Sequence, residues 1–307
     1  MAEVVDALVI GGGPAGLSAA LNLARYDRTV DLFDAGGGRS SHRQVNRNYL
    51  GFPGGVAAGE LRRLGRAQLA EYGHVRCHEE RVVSVERRDG AFFACTERDA
   101  REHGGRTVLL CTGVEDRFPT FEGAEAYIGA GMYWCITCDG YETRGRDVVV
   151  VGDSDAAAVE AMQLWRLTPR VTVLTNARRS RMTAEMRDRL ARAAIDVVED
   201  GLAGLVGSPG AVQGVRTSSG REIRAEAVFV VQGAAPRTKL ARDLGVALAD
   251  TGWIVVDAEQ RTSVPGVFAA GDVTSLHSHQ VATAVHEGNQ AAAAANQLLY
   301  PRELRAP

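Results

Sequence analysis

The sequence predicts an α/β protein with two parallel-sheet domains. Two glycine-rich turns begin at Gly11 and Gly152, and each follows a short apolar run. This pattern predicts two strand–turn–helix units of the dinucleotide-binding kind. A third turn, Gly271-Asp272, follows another apolar run far downstream. With 307 residues, the chain is long enough for two domains that each bury a core.

The first unit has a complete strand–helix–strand pattern. Residues 5–10 are the predicted first strand, and a helix is expected from about Pro14 to Arg25. Residues 30–33 form the predicted second strand, which ends at Asp34. An acid at this place can accept hydrogen bonds from ribose hydroxyls, so the unit predicts dinucleotide binding.

Each glycine of the first turn has a distinct physical reason. Gly11 permits the tight bend, Gly13 lets the backbone approach a pyrophosphate, and Gly16 lets the helix pack closely on the strand. The N-terminus of the helix, at Pro14 and Ala15, attracts the phosphates. The alternative, a glycine-rich turn without a ligand, does not explain the acid at the end of the next strand.

Composition and charge restrict the class of protein. The net charge of −3 gives no basic field for nucleic acid or a membrane surface. No segment approaches 18 continuous apolar residues, and the N-terminus lacks a basic leader, so we expect a cytoplasmic protein. In that compartment five cysteines favour a catalytic pair over a structural disulfide framework.

A cysteine pair lies between the two nucleotide-type units, in the sequence Cys135-Ile-Thr-Cys138-Asp139-Gly140. A dithiol that lies between two nucleotide-type units suggests a flavin enzyme that moves electrons to or from a disulfide. A lone CxxC is elsewhere often half of a zinc site. No second CxxC or Cys/His pair lies near it in the sequence to complete four ligands, which disfavours zinc.

Together these motifs resemble the low-molecular-weight thioredoxin reductase family over essentially the whole chain. The segments that carry the resemblance are Gly11 to Gly16, Asn48 to Gly54, Thr112-Gly113, Cys135 to Gly140, Gly271-Asp272 and Gln280 to Ala284. The family implies two Rossmann-like, three-layer ββα domains, the second inserted into the first. On this basis residues 1–115 and 246–307 form the FAD domain, and 116–245 form the inserted NAD(P)-binding-like domain. The connections at 113–117 and 245–248 are the expected hinges.

The resemblance implies that the protein binds FAD. The expected FAD-binding residues are Gly11, Gly13, Pro14, Ala15, Gly16, Asp34, Asn48, Val83, Thr112, Gly113, Gly271, Asp272, His279, Gln280 and Val281. His279 stands where the family has an arginine. It is either a proton-carrying group at the flavin edge or a packed core histidine.

The resemblance also implies roles at the dithiol. Cys138 is expected beside the isoalloxazine ring, Cys135 exchanges with the substrate disulfide, and Asp139 manages their protons. The alternative for Asp139 is a helix cap.

The other three cysteines are expected to be structural. Cys77 and Cys95 are predicted in β-hairpin strands, and Cys111 in the turn before Thr112.

The second glycine turn departs from the family pattern. Ser154 replaces the glycine that a pyrophosphate approaches, and Asp153 adds a negative charge there. The family's basic element for the NADP 2′-phosphate falls on Thr175-Asn176-Ala177. Arg178, Arg179 and Arg181 follow, and they either compensate in part or form the solvated start of the next helix. We therefore do not expect efficient binding of NADPH.

The sequence leaves several functions open. The first is an FAD-dependent thiol/disulfide oxidoreductase that acts on a thioredoxin-like protein or a small disulfide, with ferredoxin or another flavin as electron donor. Within the same class are an NADPH-dependent thioredoxin reductase and a dithiol oxidase that uses oxygen. A non-catalytic flavin-bound redox sensor is the alternative of another class. The family resemblance implies a homodimer.

Overall fold

The structure is a computed structural model that describes residues 3–42, 44–98, 101–177 and 179–304. In chain order its strands are β1 (Val4–Ile10), β2 (Val30–Phe33), β3 (Val45–Asn46), β4 (Val56–Ala57), β5 (Val75–His78), β6 (Val82–Arg88), β7 (Ala91–Thr96), β8 (Glu102–Leu110), β9 (Val114–Asp116), β10 (Met132–Tyr133), β11 (Val148–Val151), β12 (Val171–Leu174), β13 (Asp196–Val198), β14 (Leu202–Ser208), β15 (Ala211–Thr217), β16 (Glu222–Arg224), β17 (Ala227–Val230), β18 (Ala234–Pro236) and β19 (Val267–Ala269).

The α-helices are α1 (Pro14–Arg25), α2 (Ala58–Leu69), α3 (Ala124–Tyr127), α4 (Ile136–Asp139), α5 (Asp155–Trp165), α6 (Ala184–Arg192), α7 (Lys239–Asp243) and α8 (Val281–Leu299). Short 3₁₀ turns cover Arg39–Ser41, Gly140–Thr143 and Arg302–Leu304. Among the described residues, no helix combines the length and the apolar character needed to cross a membrane.

The chain divides into two compact units. The first contains the residues up to Ser41, Ala58–Glu115 and those from Ala235 onward. The second contains His42–Ala57 and Asp116–Ala234. The boundary after Glu115 coincides with the expected end of the first FAD-domain segment.

The other three boundaries differ from the expected division. The chain returns to the first unit at Ala235, not at residue 246, because Leu240, Ala241 and Val246 are buried in the first unit's core. The expected hinge at 245–248 therefore lies inside that unit. The segment His42–Ala57, expected in the FAD domain, groups by its contacts with the second unit. It contains the antiparallel pair β3–β4.

The first unit is built on one sheet with the strand order β5-β2-β1-β8-β7-β6, and β19 also pairs with β8. The strands β5, β2, β1, β8 and β19 are parallel, whereas β8, β7 and β6 are antiparallel. Buried side chains form a core on each face of the sheet. The predicted strands and helix of the first glycine unit are confirmed, and α1 has the expected bounds.

Helices α1 and α8 pack closely on one face of this sheet. A Cβ atom placed on Gly288 would lie 2.2 Å from the carbonyl oxygen of Ala15, so no side chain fits there. The Ser18 hydroxyl donates to the carbonyl of Val285 at 2.7 Å and joins the same two helices. This contact fixes the start of α1, which follows the first glycine turn.

The second unit is built on a parallel sheet with the order β10-β17-β11-β12-β13. A three-stranded antiparallel sheet, β14-β15-β16, belongs to the same unit. The apolar run before Gly152 forms β11, as its position in the predicted strand–turn–helix unit requires, and the residues of β11 and β12 are largely buried. Their apolar pattern therefore preserves the fold of this unit although its glycine turn has changed.

The three cysteines outside the CxxC pair have different environments. Cys95 lies on β7 in the hairpin with β6, as expected, but the prediction for Cys77 is wrong, because β5 pairs in parallel with β2. A run of four residues does not show whether the strand pairs parallel or antiparallel with its neighbour. Burial raises the pKa of Cys111 to about 12, which makes this thiol unreactive.

Replacing Gly288 with valine should lower the free energy of unfolding by about 3 kcal/mol, because the new side chain overlaps the backbone of α1. Gly59→Ala on α2 is the matched control, since its new Cβ meets no atom within 4 Å. It should raise stability by about 0.5 kcal/mol through helix propensity. Urea unfolding followed by circular dichroism measures both changes. Equal midpoints for the wild type and Gly288→Val would contradict the close packing.

Candidate active site

The first glycine turn leaves an open cradle at the start of α1. A Cβ on Gly11, whose φ is +116°, would lie 2.1 Å from the carbonyl oxygen of Cys111. A Cβ on Gly16 would lie 1.8 Å from the carbonyl oxygen of Gly11. At Gly13 a Cβ would meet only the Ser40 hydroxyl, at 3.9 Å. No side chain caps α1 and no acid lies in its first turn, so the helix start fits a bound pyrophosphate.

The downstream turn at Gly271 lies against the same helix. Gly271 has a φ of +78°, and a Cβ on it would lie 2.9 Å from the Cβ of Ala15. Its amide donates to Oε2 of the buried Glu287 at 2.6 Å. The other carboxylate oxygen of Glu287 lies 2.9 Å from Nδ1 of His277. The fold thus brings the two predicted flavin motifs together, and Glu287 holds the second one in place.

Asp34 lies at the end of β2, where the sequence predicts the ribose-binding acid. Its carboxylate accepts hydrogen bonds from the Gly36 amide at 3.0 Å, from Arg62 at 2.5 Å and from Arg66 at 2.7 Å. Burial raises the pKa of Asp34, but these hydrogen bonds and the positive charge of Arg62 outweigh it, so the net pKa is lowered. The carboxylate is therefore ionised and can accept ribose hydroxyls.

The sequence reasoning missed both arginines around this acid. Arg62 and Arg66 are four residues apart on α2, a spacing that places them on one helix face. The Nε of Arg62 is buried and has no hydrogen-bond partner among the described residues. It is a free donor beside Asp34, which further suits a polar cofactor such as FAD. The four-residue spacing of Arg62 and Arg66 was the signal that the sequence offered, but no sequence pattern linked these arginines to Asp34.

Asp272, expected to bind the ribityl chain, is paired with Arg39 at 2.7 Å. Its side chain is 19% exposed, so the carboxylate remains within reach of a ligand hydroxyl. Arg39 belongs to the 3₁₀ turn that follows the first glycine unit. The structure therefore adds a cation to the predicted flavin site.

His279 and its two neighbours lie at the start of α8. The ring of His279 packs on Trp253 with centroids 4.8 Å apart, and its Nε2 lies 3.1 Å from the carbonyl of Thr274. These contacts hold the half-buried ring in place, and both alternatives for His279 remain open. Gln280 is the N-cap residue and Val281 the first residue of α8.

The remaining predicted FAD residues are divided between the two units. The Thr112 hydroxyl donates to the carbonyl of Arg237 at 2.7 Å, and Gly113 follows with a φ of +65°. The carbonyl of Val83 accepts from Lys239 at 3.3 Å. Asn48 is exposed and lies in the segment that groups with the second unit. All the predicted FAD-binding residues except Asn48 therefore belong to the first unit.

The CxxC pair forms a disulfide at the start of α4. Cys135 and Cys138 have Cα atoms 5.3 Å apart, and both side chains are partly exposed. The amide of Cys138 donates to the sulfur of Cys135 at 3.2 Å. A donor in that position stabilises a thiolate on Cys135 when the pair is reduced.

Asp139 is buried directly after the disulfide, with 4% of its surface exposed. Its Oδ2 has no hydrogen-bond partner among the described residues. The alternative that Asp139 acts as a helix cap is wrong, because its side chain makes no capping hydrogen bond to the 3₁₀ turn that follows. Burial raises the pKa of Asp139 to about 7. An acid with this pKa beside a dithiol can give or take a proton near neutral pH.

The second glycine turn has kept its packing but has changed its polar contacts. A Cβ on Gly152 would lie 2.6 Å from the carbonyl of Val231, so strand and helix still approach closely. The carboxylate of Asp153 accepts hydrogen bonds from Nε and an NH₂ group of Arg181 at 2.7 and 2.9 Å. The Asp155 side chain accepts from the amide of Thr183 at 2.7 Å. The loop before α6 is thus tied to the turn by both acids.

Arg179 and Arg181 do not begin a helix, because α6 starts only at Ala184. Arg181 pairs with Asp153, and Arg178 lies outside the described residues. The side chains at the expected ribose end make internal hydrogen bonds. The buried Thr175 donates to the carbonyl of Ala177 at 2.6 Å, and Asn176 accepts from the amide of Leu202 at 2.8 Å.

Comparisons with known proteins identify the family of the chain. A family model described as "Pyridine nucleotide-disulphide oxidoreductase" matches residues 5–288. The thioredoxin reductase of Treponema pallidum is 35% identical over 298 residues, covering 94% of this chain and 95% of that protein. The thioredoxin reductase of Listeria monocytogenes is 32% identical over 315 residues, covering 99% of this chain and 96% of that protein.

A solved structure gives the same result. The crystal structure of thioredoxin reductase from Streptococcus pyogenes matches with a TM-score of 0.89 and 30% identity, over 96% of this chain and 98% of that one. The chain therefore belongs to the pyridine nucleotide-disulphide oxidoreductase family and is a flavin-dependent disulfide oxidoreductase of the thioredoxin reductase type.

Proposed function

We propose that the protein exchanges electrons between FAD, the Cys135/Cys138 pair and the disulfide of a thioredoxin-like protein or a small molecule. The electron donor is ferredoxin or another flavin, and NADPH is used poorly. The observation that carries the dithiol chemistry is the burial of Asp139 directly after the disulfide, with an Oδ2 that has no hydrogen-bond partner among the described residues. A sensor without turnover needs neither both cysteines nor an acid whose pKa is about 7.

The first step of substrate reduction uses Cys135. Its thiolate, stabilised by the Cys138 amide, attacks one sulfur of the substrate disulfide and forms a mixed disulfide. The second substrate sulfur leaves as a thiolate and takes the proton of Asp139. The proton of Asp139 thus makes the leaving sulfur a stable thiol.

The second step uses Cys138 and releases the product. Its sulfur attacks Cys135, the cysteine disulfide forms again, and the Cys138 proton passes to the departing substrate sulfur. Two electrons and two protons have then moved from the enzyme to the substrate. Bound FAD supplies the two-electron reduction that returns the cysteine pair to the dithiol.

The choice of substrate, of electron donor and of assembly each has its own support. The matched relatives carry the name thioredoxin reductase, which supports a thioredoxin-like partner. Where a pyrophosphate would approach the second turn, Asp153 and Arg181 already pair, and Ser154 replaces the glycine. The polar side chains at the ribose end are also engaged internally. The family resemblance supports a homodimer.

Cys135→Ser and Cys138→Ser should each abolish reduction of a thioredoxin-like disulfide, because exchange requires both sulfurs. Cys135→Ser should in addition leave the Cys138 thiolate beside oxidised flavin and produce a long-wavelength absorbance band that Cys138→Ser lacks. Cys77→Ser is the matched control, since that exposed thiol lies outside the pair. Turnover that survives in both CxxC variants would refute the dithiol mechanism.

Asp139→Asn should slow turnover by about 10²–10⁴-fold, because the amide cannot deliver a proton. In the wild type, kcat/KM for disulfide reduction should fall as the pH rises through about 7, where Asp139 loses its proton. The variant should lack this inflection. Steady-state rates between pH 5.5 and 8.5 test both points, and an unchanged profile in the variant would remove Asp139 from the mechanism.

NADPH should reduce the flavin slowly and with weak saturation, whereas reduced ferredoxin or a reduced flavin should react faster. Anaerobic stopped-flow mixing measures each rate from the loss of flavin absorbance. Rapid reduction that saturates at micromolar NADPH would contradict the proposed donor. Restoring the family pattern at the second turn by Asp153→Gly, Ser154→Gly, Thr175→His, Asn176→Arg and Ala177→Arg together should raise the NADPH rate.

The same assays separate the alternatives. Oxygen uptake driven by a dithiol, without disulfide reduction, assigns the dithiol oxidase. Efficient turnover with NADPH assigns the ordinary thioredoxin reductase. A flavin that is reduced but never passes electrons to any disulfide or oxygen assigns the sensor.

A further inference from the structure

A cluster of polar side chains in the first unit has no part in the mechanism above. Asp31 on β2, His78 on β5 and His103 on β8 each offer one oxygen or nitrogen atom, and these atoms all lie within 4.8 Å of one another. Nε2 of His78 is 3.0 Å from Oδ1 of Asp31, and Nδ1 of His103 is 3.8 Å from Oδ2 of Asp31. Ligand atoms at about 2.0–2.1 Å from a tetrahedral zinc ion are about 3.3 Å apart. The spacing of the three side chains is therefore close to the one that a single ion requires.

The carboxylate of Asp31 is buried, and Arg76 fixes its orientation. Nε and an NH₂ group of Arg76 donate to its two oxygens at 2.7 and 3.1 Å. A carboxylate has about four lone-pair positions, so Arg76 leaves one on each oxygen for a further partner. His78 faces one of these oxygens and His103 faces the other. Carboxylates that bind metals usually accept such a hydrogen bond from a neighbouring side chain, which orients them.

Both imidazole rings are held in place by the buried Phe33. The ring of His78 stacks on Phe33 with centroids 4.7 Å apart, and the ring of His103 meets Phe33 edge-on at 5.0 Å. The two imidazole rings are themselves 4.9 Å apart. Because these contacts already restrict both rings, little side-chain freedom remains to be lost when an ion binds.

A small cavity opens onto the cluster and gives it space and charge for a cation. Its volume is about 100 Å³, and about 10–15 Å³ is enough to hold one water molecule. Glu3, Glu102, Arg76 and Arg101 line the cavity together with the three clustered residues. Its three carboxylates thus outnumber its two guanidinium groups. Arg76 also pairs with Glu3 at 2.7 Å, so a second carboxylate offsets its positive charge.

We propose that Asp31, His78 and His103 form a binding site for a divalent transition-metal ion, and that Zn²⁺ fits it best. Two imidazole nitrogens and one carboxylate oxygen are an established zinc ligand set, and water from the cavity completes four ligands. In the sheet β1 separates β2 from β8, so the ion links strands that are not neighbours. An ion that binds only the folded protein stabilises it. The site is separate from the dithiol and does not rest on the proposed function.

The experiment titrates the oxidised, FAD-loaded protein with Zn²⁺ in a calorimeter after trace metals have been removed. The CxxC sulfurs are joined in the disulfide and do not compete for the ion. The wild type should bind one equivalent of Zn²⁺, and the ion should raise its melting temperature. His78→Gln and His103→Gln should each weaken binding by at least about tenfold, because loss of a partner that only orients a ligand already costs about 10–100-fold. Neither variant should gain the full rise in melting temperature.

Two control variants test whether the ion binds at this cluster. His74→Gln removes a histidine outside the cluster, whose Nε2 lies 3.1 Å from the carbonyl of Ala24, and it should bind Zn²⁺ as the wild type does. Cys77→Ser removes the exposed thiol next to His78 and should also leave binding unchanged. Circular dichroism checks that every variant is folded, and the wild-type titration stands without any variant. A wild type that binds no Zn²⁺, unchanged binding in both His78→Gln and His103→Gln, or loss of binding in Cys77→Ser would overturn the proposal.

Discussion

The start of helix α1 is the constraint on which the first unit depends. Four glycines approach this region so closely that a Cβ on any of them would overlap a neighbouring atom: Gly11, Gly16, Gly271 and Gly288. The contacts join β1, the turn after β8, the turn after β19 and α8 to one short stretch of backbone. Because the helix start is fixed from several sides, its free amides can present one stable surface to phosphate groups.

The two glycine turns show that packing and ligand binding are separable properties. Gly152 still lies against the carbonyl of Val231, so the second turn keeps the close approach that joins strand to helix. The position that a pyrophosphate would approach has changed, since Asp153 accepts two hydrogen bonds from Arg181. The fold requires the glycine that packs, whereas only pyrophosphate binding requires a glycine at the position of Ser154.

The features predicted well from the sequence are those with a local pattern. The bounds of α1 and the buried strand β11 follow from periodicity and glycine spacing, and the CxxC pair with Asp139 follows from a short motif. The features that were missed depend on contacts between distant charged residues. Arg62 reaches Asp34 from α2, and Glu287 reaches the Gly271 amide from α8. No sequence pattern marks such pairs, because their partners are chosen by the tertiary fold.

The burial of Asp139 has a consequence for stability. Its pKa rises from 3.8 to about 7 on folding, so the folded protein keeps a proton that the unfolded chain releases. This group therefore contributes stability at low pH that is lost as the pH rises from about 4 to about 7. Burial of this carboxyl group, whose Oδ2 has no hydrogen-bond partner among the described residues, costs stability at neutral pH, and such a cost is typical of a group that serves the chemistry.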